Sequence, residues 1–273
     1  MKKENSDKIS NYYAQGGEAE RLFATADNIV ERLRTEAIIR RNLPKPPAVI
    51  YDIGGGAGIY AFPLAKQGYK VHLIDLTSLH IEQAKKQAQE TGVHLEEYVV
   101  GDARQISAPD ACADMVLLLG PLYHLQEKND RIKALRQAYR ILKPGGFVCA
   151  AAISRYASFL YYGSQSLLQD PYMGPLIEKD ISTGRHNNPQ SDPRFFTTAY
   201  YHLPHELEQE TKEAGFSNVN VMSIEGPSWL FSSLQETVAH QKSLDALLHF
   251  LELIESDRNI MPATSHLMAV GKK

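Results

Sequence analysis

Between Val49 and Ile153 short apolar runs alternate with stretches whose apolar residues recur at helical spacing. Val49–Ile53 is an apolar run of strand length, and Ile59–Lys66 reads as a helix closed by Gly68. Lys70–Asp75 predicts a second strand, and Ser78–Glu90 a polar amphipathic helix ending at Thr91-Gly92. His94–Val100 alternates as a third strand, while Asp114–Leu119 is apolar on both faces, as a buried parallel strand should be. Glu127–Leu142 places Ile132, Leu135, Ala138, Tyr139 and Leu142 on one helical face. Pro144-Gly145-Gly146 is expected to break that helix before a fifth strand, Phe147–Ile153. Pro63, inside the first helix of this series, is tolerable only if the helix starts close to Ile59, where amides lack partners anyway.

Strands alternating with helices predict an α/β fold, a mostly parallel sheet with helices on both faces. Right-handed crossovers bring the carboxyl ends of the strands to one edge, where ligands bind. Residues 1–45 depart from the rhythm and read as a helical N-terminal cap joined by the Pro-rich Asn42–Pro47. Residues 155–201 depart too, holding nine of the 24 aromatic residues and the loop-like Ser182–Pro193. They read as an insertion forming a lid over the sheet edge. Residues 46–154 and 202–273 then make the core. In its second part Pro204–Ala214 is a helix stopped by Gly215, Val219–Ile224 a strand, Leu244–Ile254 a helix and His266–Val270 a last strand.

Composition changes this picture little. With 43% hydrophobic and 22% charged residues in 273, the chain is an ordinary globular protein of one large domain, or one domain with a lid. A net charge of −3 supplies no broad basic field, so nucleic acid is not the expected partner. Cys112 and Cys149 sit in apolar runs that read as strands, which suits two reduced thiols rather than a disulfide. The N-terminus starts basic but has no apolar signal-peptide core, and no apolar run reaches the roughly 18 residues that span a bilayer. A cytoplasmic protein without a membrane partner is expected.

The chemistry is concentrated in VIYDIGGGAGIYAFPLA, Val49–Ala65, where four of the six residues after Asp52 are glycine. Strand, glycine loop and helix together present backbone N–H groups and a helix N-terminus to a ligand. Glycine is needed where a Cβ would block approach or φ is positive. Four glycines exceed what a tight turn requires. Two ligand classes compete for the loop. Gly56, Gly58 and Ala61 satisfy the looser dinucleotide pattern. Asp52, two residues before the first glycine, would repel a pyrophosphate and instead suits a ligand carrying an ammonium and a sulfonium.

Asp52-Ile53-Gly54-Gly55-Gly56-Ala57-Gly58 resembles the first motif of the class I S-adenosylmethionine-dependent methyltransferases, and later motifs follow in that family's order. Asp75, followed by Leu76, ends the second strand, where the family's acid grips the ribose hydroxyls. Gly101-Asp102-Ala103 follows the third strand, where the family's acid meets the adenine amino group. Asp114–Gly120, containing Leu119, resembles the fourth-strand motif, and Leu142–Gly146 the loop before strand five. The resemblance implies a Rossmann-like seven-stranded sheet with a final antiparallel strand. It also implies S-adenosylmethionine as cofactor, held by Asp52, Gly54, Gly56, Gly58, Asp75, Leu76, Asp102, Ala103 and Leu119. For Asp75 the competing role is a helix cap, and for Asp102 a turn residue. A nicotinamide-dependent oxidoreductase is the rival reading; it can claim Asp75 but has no use for Asp102 or the Leu142–Gly146 loop.

Catalytic candidates come from the segment after strand four, Gly120–Leu125, which in the wider family borders the methyl group. Tyr123 and His124 are placed to position the nucleophile of a small-molecule acceptor, against local packing as the plain alternative. In the N-terminal segment, Arg21 is placed to pair with the methionine carboxylate and Tyr13 to hydrogen-bond it; a solvated surface helix is the competing reading. His202 and His205 flank a proline, which makes a poor metal pair, and Pro204 at a helix start explains them. The aromatics of the lid suit a flat or cationic acceptor, the lid's own core or a homodimer contact, and Trp229 is a candidate for the same pocket. A protein that senses S-adenosylmethionine without transferring its methyl is the non-enzymatic alternative.

Overall fold

Val49–Ile53 forms β1 inside the sheet, buried from Ile50 onward, Asp52 included. A computed structural model describes residue 13, residues 18–188 and residues 196–273; residues 1–12, with Tyr12, residues 14–17 and residues 189–195, which overlap the Ser182–Pro193 loop, lie outside the described residues. The helices α1 (Glu18–Ala24) and α2 (Ala26–Asn42) precede β1. After it come α3 (Ala61–Lys66), β2 (Lys70–Asp75), α4 (Ser78–Thr91), β3 (Glu97–Val100), β4 (Ala113–Leu118), α5 (Pro121–His124), α6 (Lys128–Ile141) and β5 (Leu142–Ser154). These strands run parallel in the order β3-β2-β1-β4-β5. Pro63 is the third residue of α3, in its first turn, as a helix starting close to Ile59 requires.

The chain closes the sheet with β8 (Ser217–Ser223) and β9 (His266–Lys272), β9 running antiparallel between β5 and β8. Seven core strands with an antiparallel closure are what the sequence leads one to expect. The two faces carry separate cores, sorted by strict alternation. Tyr51, Val116, Leu118, Val148, Ala150, Leu267 and Ala269 face one side. Ile50, Met115, Leu117, Cys149, Ala151, Met268 and Val270 face the other.

Three details correct the expectations from sequence. Pro144-Gly145-Gly146 does not separate helix from strand: it is a bulge inside β5, between the pairs Ala113↔Leu142 and Met115↔Phe147. Gly145 takes φ +85° there, and its N–H donates to the Lys273 carbonyl at 2.9 Å. Cys112 precedes β4 and is half-buried, although both cysteines are free. The helix placed at Leu244–Ile254 starts earlier, as α11 (Gln241–Ile254), after a short α10 (Leu234–Ala239); extended backbone at His240 separates them. With six residues, α10 offers a single apolar pair, Leu234 and Val238, too short a pattern to mark a helix.

Residues 155–201 contain α7 (Ala157–Ser164), α8 (Met173–Thr183) and the short antiparallel pair β6 (Arg185–His186) and β7 (Ala199–His202). Because β9 occupies one edge of β5 as far as Ile153, β7 pairs with Ile153 and Ser154 on the edge that β4 leaves after Ala150. The inserted strand is thereby brought over the segment that follows β4. The helix α9 (Pro204–Glu213) returns the chain to the sheet, opening at Pro204. Among the described residues no helix is long and apolar enough to cross a membrane.

Candidate active site

A cavity of about 370 Å³ lies at the carboxyl ends of β1 to β5. Gly54, Gly56, Asp75, Leu76, Asp102, Ala103, Leu119, Tyr123 and His124 all contribute to its wall, and Tyr13 and Arg21 close it from the N-terminal side. The sheet therefore brings together almost every candidate residue, though they are spread over more than a hundred positions.

At the glycine loop the chain turns so tightly that Gly54 (φ +73°) has Pro121 Cδ only 2.5 Å from where a Cβ would sit. Gly56 differs: its φ is +58°, but the nearest atom to a Cβ would be His80 Nδ1 at 3.9 Å, and what lies beyond is cavity. The Gly56 N–H donates to Asp75 Oδ2 at 2.9 Å. Asp75 Oδ1 accepts from the Thr77 N–H at 2.8 Å and lies 3.1 Å from His80 Nδ1. Asp75 thus holds the following turn and also stands in the cavity wall, its carboxylate oriented by three groups.

Asp52 lies beneath the loop and outside the cavity wall. It is fully buried, and neither oxygen meets a hydrogen-bond donor among the described residues. A Cβ on Gly55 would stand 2.5 Å from its carboxyl. Burial, and then the nearby Asp75 carboxylate, push its pKa up to about 7. An unpartnered carboxyl in this position is stabilised by a proton or by a cation arriving in the cavity above it.

At the β3 end the Asp102 carboxylate accepts from the Arg104 N–H at 2.8 Å and from Nη2 at 2.6 Å, and Arg104 also reaches Asp130 at 3.0 Å. Burial opposes the Asp102 charge, but the bonds from Arg104 outweigh it and lower the pKa. Arg104 is a member of this corner that its isolated place in the sequence does not mark.

At the opposite end the Tyr13 hydroxyl and His124 Nε2 are 2.8 Å apart. The His124 ring also stacks on Phe196 (centroids 5.7 Å apart) and meets Tyr123 edge-on (4.7 Å). Burial drives the His124 pKa down to about 4, against opposing pulls from the Thr198 backbone and Asp75. At neutral pH it is an uncharged imidazole that orients rather than a strong base. The segment is held from below by Arg131, which donates to the Leu125 and Gln126 carbonyls at 2.9 and 2.8 Å. Arg131 also forms a buried two-point pair with Glu210 (2.8 and 2.6 Å) and stacks on Tyr200 at 3.6 Å.

Arg21 is engaged by Glu31 through two bonds of 2.7 and 2.9 Å. His202 is buried and bonds to Glu210, with Pro204 opening the next helix. Trp229 donates to the Ala263 carbonyl at 3.2 Å and is not part of the cavity wall. Sequence reasoning missed His80, Glu31, Glu225, His266 and Phe196. His80 alone had a local signal, following Asp75 by five residues at the head of α4; the others reach the site only through tertiary packing.

The order β3-β2-β1-β4-β5, closed by an antiparallel strand and with glycines and acids at the strand ends, defines a nucleoside-binding methyltransferase fold. Residues 51–150 match the methyltransferase domain family. That match and this architecture support a class I S-adenosylmethionine-dependent methyltransferase. It is 30% identical over 162 residues to the ubiquinone/menaquinone biosynthesis C-methyltransferase UbiE of Caulobacter sp. (strain K31), covering 55% of this chain and 63% of that protein. It is 32% identical over 138 residues to a ubiquinone biosynthesis O-methyltransferase of Methylocella silvestris, covering 50% of this chain and 52% of that one. The match thus spans less than two thirds of either relative. The fold is shared with a solved S-adenosylmethionine-dependent methyltransferase of Methanosarcina mazei (TM-score 0.58, 19% identity, 86% of this chain and 96% of that one).

Proposed function

We propose that the chain transfers a methyl group from S-adenosylmethionine to a small-molecule acceptor by in-line displacement. The observation that carries this reading is the open space at Gly56 beside the oriented Asp75 carboxylate. It is a cradle that a Cβ would fill, at the spot where a ribose with two hydroxyls would meet a buried acceptor group. The unpartnered Asp52 beneath it supports a cationic ligand over a pyrophosphate. The sulfonium, when bound, supplies an activated methyl, so the protein's share of the work is orientation and exclusion of water.

In this assignment Gly56 admits the ligand to the backbone, while Gly54, packed on Pro121, and Gly58, outside the cavity wall and packed on Phe62, shape the loop that presents it. Asp75 takes the ribose hydroxyls with Leu76 beside them, Asp102 and Ala103 take the adenine edge, and Leu119 borders the methionine chain. Tyr13 and the Glu31-bound Arg21 face the methionine end. Tyr123 and the neutral His124 align the acceptor. Residues 1–45 act as a cap and residues 155–201 as a lid, with the exposed Phe159, Tyr161 and Tyr172 as the face available to a second copy of the chain. The expected setting is cytoplasmic, with no nucleic-acid partner. Two ubiquinone-pathway relatives, one transferring to carbon and one to oxygen, support a ring-bearing small molecule as acceptor.

Calorimetric titration with S-adenosylhomocysteine, with NAD⁺ in parallel, tests this. Micromolar binding of the former, about 8 kcal/mol, and none of the latter is the expected result. Binding of NAD⁺ alone would sink the assignment. Release of S-adenosylhomocysteine with an acceptor panel then separates a transferase from a sensor.

A further inference from the structure

The cavity wall carries a charged group that the steps above do not use. His266 at the start of β9, Glu31 of α2 and Glu225 just after β8 bring an imidazole nitrogen and two carboxylate oxygens within 4.8 Å of one another. Hydrogen bonds tie the three groups to one another and to their neighbours. His266 Nδ1 donates to Glu225 at 2.5 Å and lies 3.9 Å from Glu31 Oε2. Glu31 is also held by Arg21 at two points, and Glu225 accepts from the Thr264 hydroxyl and the His266 N–H. Burial alone would depress the His266 pKa, but Glu31 and Glu225 outweigh it, against Arg21, and raise it to about 9. Two carboxylates therefore balance an imidazolium and a guanidinium.

An imidazolium has two N–H donors. Nδ1–H is spent on Glu225; Nε2–H meets no acceptor among the described residues and stays open to the cavity. The side chain keeps 20% of its surface exposed and belongs to the cavity wall beside Ala151 and Ile224. A charged donor that faces the cavity with no protein acceptor suits an oxygen of the ligand, which gains a charge-assisted bond there. It also disfavours a cationic amine at the same spot.

We propose that His266 directs its Nε2–H at a carbonyl or phenol oxygen of the acceptor, and so determines which molecules are methylated. This rests on the cavity being the methyl-transfer site. The ring orientation is held by Glu225 and Glu31, so the donor is fixed before the acceptor arrives.

The test uses the full chain loaded with S-adenosylhomocysteine and three probes sharing one ring: phenol, benzamide and benzylamine. Nitrogen-detected NMR of the histidine rings should show His266 Nε2 shifting with phenol or benzamide at millimolar concentration and not with benzylamine. No shift with either oxygen probe, or a larger one with benzylamine, overturns the proposal. His266→Gln, whose amide can reach the Nε2 position, should keep the oxygen probe within about threefold of the original affinity. His266→Asn, which mimics only Nδ1, should weaken it about tenfold or more. Equal behaviour of the two variants also overturns it. Calorimetry with S-adenosylhomocysteine on the same samples keeps the readings apart. Failure of the parent to bind it removes the methyltransferase assignment, whereas binding without oxygen selectivity removes only the role of His266.

Discussion

Asp75 combines the two roles that the sequence allows it, holding a local turn and standing in the cavity wall. Its Oδ1 holds the turn after β2 and its Oδ2 holds the glycine loop, while the carboxylate still borders the cavity. A single substitution would therefore remove the proposed ribose contact and loosen the loop that presents the glycines. Asp75→Ala is expected to weaken S-adenosylhomocysteine binding by more than about tenfold, because two charge-assisted bonds go together. Calorimetry measures this, and unchanged affinity would reduce Asp75 to a turn residue. Asp75 was legible in the sequence because a carboxylate at a strand end is a local feature. The occupied state of Arg21 was not, because Glu31 reaches it only after α1 has folded back along α2.

At the scale of elements, the segment after β4 is held from three directions. Arg131 of α6 grips the carbonyls of Leu125 and Gln126, pairs with Glu210 of α9 and covers Tyr200 of β7. Gln126 in turn donates to the His186 and Ala199 carbonyls of the β6–β7 pair. His124 is thus placed by elements that come from far along the chain. Removing Arg131 leaves Glu210 buried without its main partner, which costs about 3–5 kcal/mol for a pair of this kind. Arg131→Met should lower stability by that order in denaturant titration, and the loss should exceed that of Arg185→Met, whose pair with Glu127 is exposed. Equal losses would show that the buried pair does not organise this corner.

At the scale of the whole molecule, three buried groups shape the pH dependence of stability. Burial opposes the charge of Glu210, but bonds from Arg131 and His202 overcome it and lower its pKa to about 2, so its contribution is present above pH 4.5 and lost as the pH falls toward 2. His266, raised to about 9, contributes fully below pH 6.5 and loses that contribution as the pH rises through 9. Asp52, raised to about 7, keeps its proton in the folded state, so its effect also declines as the pH rises from 3.8 through 7. The thermal midpoint of the ligand-free protein should accordingly peak on the acid side of neutrality. Asp52→Asn should flatten the decline between about pH 4 and 7. A maximum above pH 8 would contradict the assignments of His266 and Asp52.

The sequence by itself determined the alternation of strands and helices, the glycine loop and the acids at the ends of β2 and β3. Each of these depends on neighbours within a few residues: a run of apolar side chains, a positive φ, a carboxylate closing a strand. Even the bulge at Pro144-Gly145-Gly146 was visible as an interruption, though not as a part of β5, since pairing with Lys273 is what keeps it in the strand. Tertiary structure alone decided that Asp52 lies under the loop, that His124 is neutral between Tyr13 and Phe196, and that His266 sits as an imidazolium between two carboxylates. Charge state and orientation in a buried site follow from desolvation and from partners on other elements, and neither has a signature along the chain.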